Sequence, residues 1–190
     1  GSRPAGLMRL STTTGATPQE VQDVAGYKVA PGTTTHSLTL YRAASGALVF
    51  GAGTIQWGWG LDQYHDGDNT NAADPRMQQA TLNMLADMNV LPTTIMPGLV
   101  QPTKSTDTTA PVVSVVTPAS GATLGNGSQV TVSGTATDAG GVVTTVEVSL
   151  DGGTTYHRAT GTSSWSYSGV LSGAGAQAIK VRANDDSANL

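Results

Sequence analysis

The feature that most constrains this chain is a series of short segments with a period of two, which begins at Val112 and continues almost to the C-terminus. In these segments β-branched residues alternate with polar ones, a pattern typical of strands that bury one face. Glycine-rich turns separate the segments at the spacing expected of an antiparallel β-sandwich. The predicted strands are residues 112–116, 129–137, 142–150, 154–159, 164–170 and 177–185.

The same alternation predicts which side chains of these strands form the core. The outward positions Thr131, Glu147, Lys180 and Arg182 are expected to face water. The Asp-Gly-Gly turn at 151–153 can supply the positive φ angles of a tight hairpin. The predicted inward set is Val130, Val132, Val146, Val148, Leu150, Ile179 and Val181, with Trp165 and Tyr167 as its aromatic centre.

The first half of the chain has a different pattern. Residues 36–42 alternate and residues 47–53 are more continuously apolar, so together they predict a hairpin. A helix is predicted to follow, with Asp74 as its N-cap, Pro75 in its first position and Asn89 as its stop. Its predicted apolar stripe is Met77, Thr81, Met84, Leu85 and Met88.

A segment rich in proline and threonine separates the two patterns. We therefore predict an α+β fragment at residues 1–98, a linker at 99–106 and an all-β immunoglobulin-like sandwich at 107–190. We also expect the chain to be a piece of a longer protein, with the neighbouring domains of that protein as partners.

Composition excludes several classes of function. The net charge is −4 and the only lysines are Lys28, Lys104 and Lys180, so no basic stripe is present to bind nucleic acid. The absence of cysteine excludes thiolate nucleophiles and disulfides. No apolar window is long enough to span a membrane. Charged residues make up only 12% of the chain, which favours a secreted or cell-surface bacterial β-protein.

No residue is predicted to be catalytic. Nucleophile elbows, glycine-rich phosphate loops and paired zinc histidines are absent from the sequence. The three histidines, His36, His65 and His157, fall in three different predicted elements. Nothing local therefore indicates an assembled catalytic set.

The stretch around two tryptophans is the predicted ligand-binding site. Trp57 and Trp59 point the same way if residues 56–60 are extended, and two such rings could stack on a glycan or cell-surface polymer. Alternatively, these rings seal the edge of the sheet against the helix. The full predicted ligand-binding set is Trp57, Trp59, Asp62, Tyr64 and His65.

Two groups of carboxylates are predicted metal sites, with calcium as the possible ion. Asp62, Asp66 and Asp68 lie on one loop, although their spacing does not match the helix-loop-helix calcium pattern. The alternative is a solvated turn before the helix cap. The second group, Asp107, Asp138 and Asp185, lies at the ends of the predicted sandwich together with Asn184 and Asp186, where surface polarity is the alternative explanation.

Two parts of this chain each resemble a known family. The run GTTTHSLTLYRAASGALVFGAGTIQWGWGLDQYHDG, followed by ADPRMQQATLNMLADMNVLPTT, resembles the C-terminal segment of the N,N-dimethylformamidase large-subunit-like family. This resemblance covers roughly residues 7–99 and implies the closing part of a class I glutamine amidotransferase-like α/β domain. Separately, DTTAPVVSVVTPASGATLGNGSQVTVSGTATDAGG resembles bacterial immunoglobulin-like repeats.

The first resemblance implies an amide-hydrolysing family that uses iron held by tyrosine and carboxylate ligands. No motif ties Tyr27, Tyr41 or Tyr64 to that role, and the amidotransferase cysteine is absent, so glutaminase activity is not expected. The leading prediction is a non-catalytic module that spaces, docks or binds a glycan. The alternatives are a fragment of a metal-dependent amidohydrolase and a self-associating element that pairs through an open strand edge into a homo-oligomer.

Overall fold

The computed structural model describes residues 3–65, 67 and 69–190. Within these residues the chain forms ten β-strands, one α-helix and one short 3-10 helix at Trp57–Gly60. In chain order the elements are β1 (Met8–Val21), β2 (Val29–Arg42), β3 (Leu48–Gly51), α1 (Pro75–Asp87), β4 (Val112–Thr117), β5 (Gln129–Thr137), β6 (Val143–Ser149), β7 (His157–Arg158), β8 (Thr160–Gly161), β9 (Ser164–Val170) and β10 (Lys180–Asp185).

The strands form three sheets, ordered β1-β2-β3, β4-β5-β9-β8 and β10-β6-β7. Every pairing within the last two sheets is antiparallel, which confirms the all-β sandwich predicted for the second half. The predicted strand at 154–159 shortens to β7, because the hydroxyl and N–H of Thr155 bond to the carboxylate of Asp151 and curl the chain into a turn.

The core of the sandwich lies between these two sheets. Val132 and Trp165 from one sheet and Val146 and Val148 from the other are at most 2% exposed. Gly134 makes room for the indole, since a Cβ at this position would lie 2.7 Å from Cζ2 of Trp165. The predicted inward set is confirmed, with Leu150, Ile179, Val181 and Tyr167 half-buried around the fully buried residues.

The prediction that Glu147 faces water is wrong. Glu147 is 1% exposed, although its outward position in β6 follows the alternation. Its carboxylate is covered by Arg182 of β10 and by the N-terminal segment at Gly6. Sequence alternation identifies the face of a strand, but it does not report whether another part of the chain covers that face.

The first half contains a strand that the sequence reading missed. β1 is 14 residues long and pairs with β2, and its threonines contact β2 through the pairs Thr12–Ser37 and Thr14–Thr35. The opposite direction of these partners along the two strands makes them antiparallel. Almost all of β1 is exposed, so it lacks the alternation of apolar residues that identifies a half-buried strand. The predicted hairpin of β2 and β3 is confirmed.

Helix α1 begins where predicted. Asp74 accepts a hydrogen bond from the N–H of Arg76, Pro75 follows it, and Asn89 takes a positive φ of 64° after the last turn. The predicted stripe is displaced, because the fully buried residues of the helix are Leu82 and Ala86. The segment that follows the helix lies over this face, and together they line an apolar groove of about 230 Å³ that includes Leu82, Leu85, Pro92, Ile95, Met96 and Leu99.

The chain divides into two compact units. One contains the two-sheet sandwich from Thr106 to Leu190, the segment Tyr41–Val49 and the N-terminal residues up to Met8. The other contains Arg9–Leu40 and Phe50–Ser105. The predicted boundaries, 1–98 and 107–190, stay a prediction. Within the described residues, no helix is both long enough and apolar enough to cross a membrane.

Candidate metal centre

Four carboxylates meet at one end of the sandwich. Asp107 precedes β4 and Asp138 follows β5, while Asp185 ends β10 and is followed by Asp186. Because β4 and β5 are antiparallel, the start of one strand lies beside the end of the other, with Val112 paired to Thr137. We call these four aspartates the carboxylate cluster.

The oxygens of the carboxylate cluster are close together. One oxygen each from Asp107, Asp185 and Asp186 can be chosen so that all three lie within 4.8 Å of one another. Asp138 joins them around Gly141, where a Cβ would lie 2.9 Å from Asp138 Oδ2 and 3.2 Å from Asp107 Oδ2, and would overlap Asp186 Oδ1. A glycine at this position therefore leaves the space between the carboxylates open.

Asp138 is the informative member of the cluster. Both of its carboxylate oxygens are buried, and neither has a hydrogen-bond partner among the described residues. Burying a carboxylate without a partner is costly, and nearly all buried polar atoms in proteins are paired. A cation between these oxygens would supply the missing interaction.

The turn after β10 holds the rest of the cluster in place. Asp185 is fully buried, and its Oδ1 accepts hydrogen bonds from the N–H groups of Ser187 at 2.9 Å and Asn189 at 2.8 Å. The side chain of Asn189 donates to Asp185 Oδ2 and to the backbone oxygen of Asp107. Asp186 Oδ1 accepts from the N–H of Val142 at 3.0 Å. Two ends of the domain are thus tied together at this point.

The donor set indicates which ion would fit. It consists of carboxylate oxygens without histidine or cysteine, which suits a hard cation such as Ca²⁺ or Mg²⁺ and not zinc. Several carboxylates from separate loops favour Ca²⁺, which accepts irregular geometry, whereas Mg²⁺ demands a near-ideal octahedron.

A comparison with known families covers the same part of the chain. Residues 111–187 match the bacterial Ig domain family. The match includes Asp138, Asp185 and Asp186 of the carboxylate cluster, and Asp107 lies just before it. No curated protein matches the chain. The resemblance of the second half of the chain to bacterial immunoglobulin-like repeats is thereby confirmed for residues 111–187, and we call this part the Ig-like domain.

The tryptophan stretch is not extended. Residues Trp57–Gly60 form a 3-10 helix, closed by hydrogen bonds from the N–H of Trp59 to Gln56 and from that of Leu61 to Gly58. A 3-10 turn does not place alternate side chains on one face, so the two rings are not coplanar neighbours. The condition under which both rings would point the same way, an extended segment at residues 56–60, is therefore not met.

Trp57 and Trp59 have different surroundings. The indole N–H of Trp57 donates to Thr81 Oγ1 of α1 at 3.1 Å, and its ring packs edge-on against Phe50 at 5.2 Å. Trp59 is 38% exposed and lies flat on the imidazole of His65, with ring centres 4.7 Å apart. Packing therefore accounts for Trp57, while Trp59 keeps an accessible face.

The other predicted ligand residues, Asp62 and Tyr64, precede His65 on the same loop. His65 is buried, and its Nδ1 lies 3.9 Å from Asp62 Oδ1. Its Nε2 atom is also buried and has no hydrogen-bond partner among the described residues. Asp62 is exposed and accepts from the N–H of Tyr64 at 2.7 Å, and Tyr64 is 75% exposed.

The loop carboxylates predicted to bind metal are described only in part. Asp66 and Asp68 lie outside the described residues. Asp74 is engaged by Arg76, whose guanidinium and backbone N–H both donate to its carboxylate. These hydrogen bonds lower the pKa of Asp74 from 3.8 to about 2. Asp74 therefore serves the helix cap.

Sequence reasoning placed Asp107, Asp138 and Asp185 at the ends of the sandwich but did not include Asp186 in the predicted metal set. It also gave no role to Gly141, which leaves the cluster open. The available signal was the pairing of Asp138 with two glycines two and three residues later, because adjacent glycines after a strand mark a close approach of other groups.

Proposed function

We propose that this chain is a non-catalytic spacer module of a secreted or cell-surface bacterial protein, and that its Ig-like domain binds calcium at the carboxylate cluster. The match of residues 111–187 to bacterial Ig domains supports a structural role. The burial of both Asp138 oxygens without a hydrogen-bond partner is the observation that carries the calcium site.

The cluster joins parts of the chain that are distant in sequence. Asp107 lies at the entry to the Ig-like domain, and Asp185 and Asp186 lie at its end. A cation that binds all of them fixes both ends of the domain and removes the repulsion between neighbouring carboxylates. A spacer benefits from this arrangement, because its entry and exit are held at a constant separation.

Calorimetry and thermal unfolding of the full chain test the proposal. Calcium titrated into chelator-treated protein should bind at one site, and millimolar calcium should raise the melting temperature by mass action on the folded state. Asp138→Asn should abolish both effects. Asp23→Asn is the matched control, since it makes the same change at a turn carboxylate outside the cluster, where Asp23 accepts from the N–H of Tyr27. An unchanged melting temperature of the unaltered chain at millimolar calcium contradicts the site.

Glycan binding is a second candidate function, and the exposed face of Trp59 favours it. The ring is held flat by His65, and the phenol of Tyr64 is exposed a few residues further along the chain. Flat aromatic faces of this kind stack on sugar rings. A glycan-array signal should disappear in Trp59→Ala and persist in Tyr27→Ala, which removes a more exposed aromatic ring from another turn. Retention of the signal in Trp59→Ala removes this candidate.

The resemblance of residues 7–99 to the dimethylformamidase family supports the alternative of an amidohydrolase fragment. Under that alternative the reactive groups belong to sequence outside this chain. Amide hydrolysis by the chain with added iron should then stay at background, and turnover above background would favour an enzyme over a spacer.

Self-association is the remaining alternative, and the position of β1 supports it. This strand is 14 residues long and lies at the edge of its sheet, so its outer N–H and C=O groups are available to another strand. Light scattering measures the mass directly. A monomer at high protein concentration excludes this alternative.

A further inference from the structure

The second sheet of the Ig-like domain carries a buried polar face on the side away from its core. Val146 and Val148 of β6 point into the core, so the intervening Thr145 and Glu147 lie on the opposite side. Both are 1% exposed, as is Asn184, which pairs with Thr145 across the two strands. We call these three residues the outer polar face.

The backbone of Gly6 is held by the outer polar face. The N–H of Gly6 donates to Glu147 Oε2 at 3.2 Å, and the amide of Asn184 donates to the carbonyl of Gly6 at 2.9 Å. Buried side chains therefore bind both backbone polar groups of Gly6, its N–H and its carbonyl. Met8, two residues later, is 1% exposed. The N-terminal segment thus lies against the sheet through the two hydrogen bonds of Gly6.

Glu147 is positioned for this role by a second set of contacts. The Nε atom of Arg182 donates to Glu147 Oε2 at 2.8 Å, and the guanidinium lies 3.7 Å from the ring centre of Tyr156. Arg182 therefore gives the carboxylate a second partner besides Gly6 and restricts its conformation. Thr145 Oγ1, Glu147 Oε1 and Asn184 Oδ1 are buried without hydrogen-bond partners among the described residues, so the contacts with Gly6 leave three polar atoms of the face unpaired.

Conformation explains why glycine occupies this position. Gly6 has a φ of 64°, in the left-handed region that other residues rarely adopt. Space is not the constraint, because a Cβ at Gly6 would meet Leu190 and Asn184 only at ordinary contact distances of 3.5 and 3.6 Å. The site therefore selects a backbone shape.

We propose that the outer polar face is a binding site for a short, glycine-containing peptide segment, and that the chain fills it with its own residues 3–9. The site uses none of the four aspartates of the carboxylate cluster. The outer face of the Ig-like domain is complete only when a segment more than a hundred residues upstream is docked on it.

Hydrogen exchange on the full chain tests the docking. Gly6→Pro removes the N–H that Glu147 accepts and forbids the positive φ, without altering any residue of the sandwich. Exchange in β6 and β10 should rise by about tenfold, the effect of losing one hydrogen bond to a charged group. Gly26→Pro is the matched control, because Gly26 has a φ of 77° and no neighbour within 4 Å of its Cβ position. Exchange in β6 and β10 should be unchanged in this control.

Binding in trans provides the second measurement. An acetylated and amidated peptide of residues 3–9 should bind the Gly6→Pro chain and restore the slow exchange of β6 and β10. The same peptide carrying Gly6→Pro should not bind. If Gly6→Pro leaves β6 and β10 exchange at the level of the unaltered chain, or if the peptide fails to bind at millimolar concentration, the proposal is overturned. Should the proline variant unfold, Gly6→Ala, which keeps the N–H, is measured in the same way, and its exchange must rise in β6 and β10 before it rises in β5.

Discussion

The Nε atom of Arg182 lies 2.8 Å from Oε2 of Glu147, on adjacent strands whose register pairs these two residues directly. The two partners differ in exposure, since the side chain of Glu147 is 1% exposed and that of Arg182 is 26% exposed. The pair therefore joins a buried carboxylate to a partly exposed guanidinium. Removing only one partner tests how much the pair contributes to the free energy of unfolding.

We expect Glu147→Ala to lower the free energy of unfolding by about 3 kcal/mol, because it removes the partner of a half-buried guanidinium and the acceptor of the Gly6 N–H. Urea unfolding followed by tryptophan fluorescence measures this change, since Trp165 lies in the core. Thr131→Ala on an exposed position of β5 is the control, with an expected change within about 0.5 kcal/mol. Equal stability of the two variants would contradict a structural role for Glu147.

Gly141→Ala is expected to weaken calcium binding by about tenfold, because the added methyl displaces Asp186 and crowds Asp138 at 2.9 Å. Isothermal titration gives the affinity. The matched control is Gly125→Ala, where the new Cβ meets only Ser128 at 3.8 Å. An affinity that is the same in Gly141→Ala and in the unaltered chain would place the ion elsewhere.

Trp57→Phe should destabilise the contact between the 3-10 helix and α1 by about 1 kcal/mol, because it removes the hydrogen bond to Thr81 Oγ1 and retains an aromatic ring beside Phe50. Hydrogen exchange of residues 75–87 measures the loss. Thr81→Val removes the acceptor of this hydrogen bond and should give a similar increase in exchange. It also removes the hydrogen bond that Thr81 Oγ1 donates to the carbonyl of Met77. The double variant should add little to either change, and full additivity would show that the two side chains act separately.

The N-cap of α1 should make helix stability depend on pH in the acid range. The hydrogen bonds from Arg76 hold the pKa of Asp74 at about 2 in the folded chain, below its ordinary value of 3.8. A lowered folded pKa stabilises the fold above pH 3.8, and this contribution disappears as the pH falls toward 2. Far-ultraviolet circular dichroism through this range should report loss of helix, and Asp74→Asn, which can still cap, should remove the pH dependence.

The positions of β5 and β9 were predictable because each of these strands buries one face against the core. Val130 and Val132 alternate with exposed residues, and the period of two reports that burial directly. The cap at Asp74 was equally predictable, since it depends on contacts within four residues. Local chemistry and one-sided burial are the cases in which sequence carries enough information.

The missed elements lack a local pattern of one-sided burial. β1 is exposed along most of its length, so no apolar period identifies it, and the long pairing with β2 provides its stability. The tryptophan stretch forms a 3-10 helix, and the contacts of Trp57 with Phe50 and Thr81 lie outside its own segment. Their energies do not appear in local propensity.

By itself the sequence determined the strand pattern of the Ig-like domain, the identity of most of its core and the presence of aspartates at its ends. Only the tertiary structure decided that Asp138 and Asp186 meet around Gly141, and that Glu147 is buried beneath Gly6. The physical reason is the separation in sequence between the residues that interact. Alternation and capping arise between residues a few positions apart, whereas a carboxylate's environment is set by whichever distant segments pack over it.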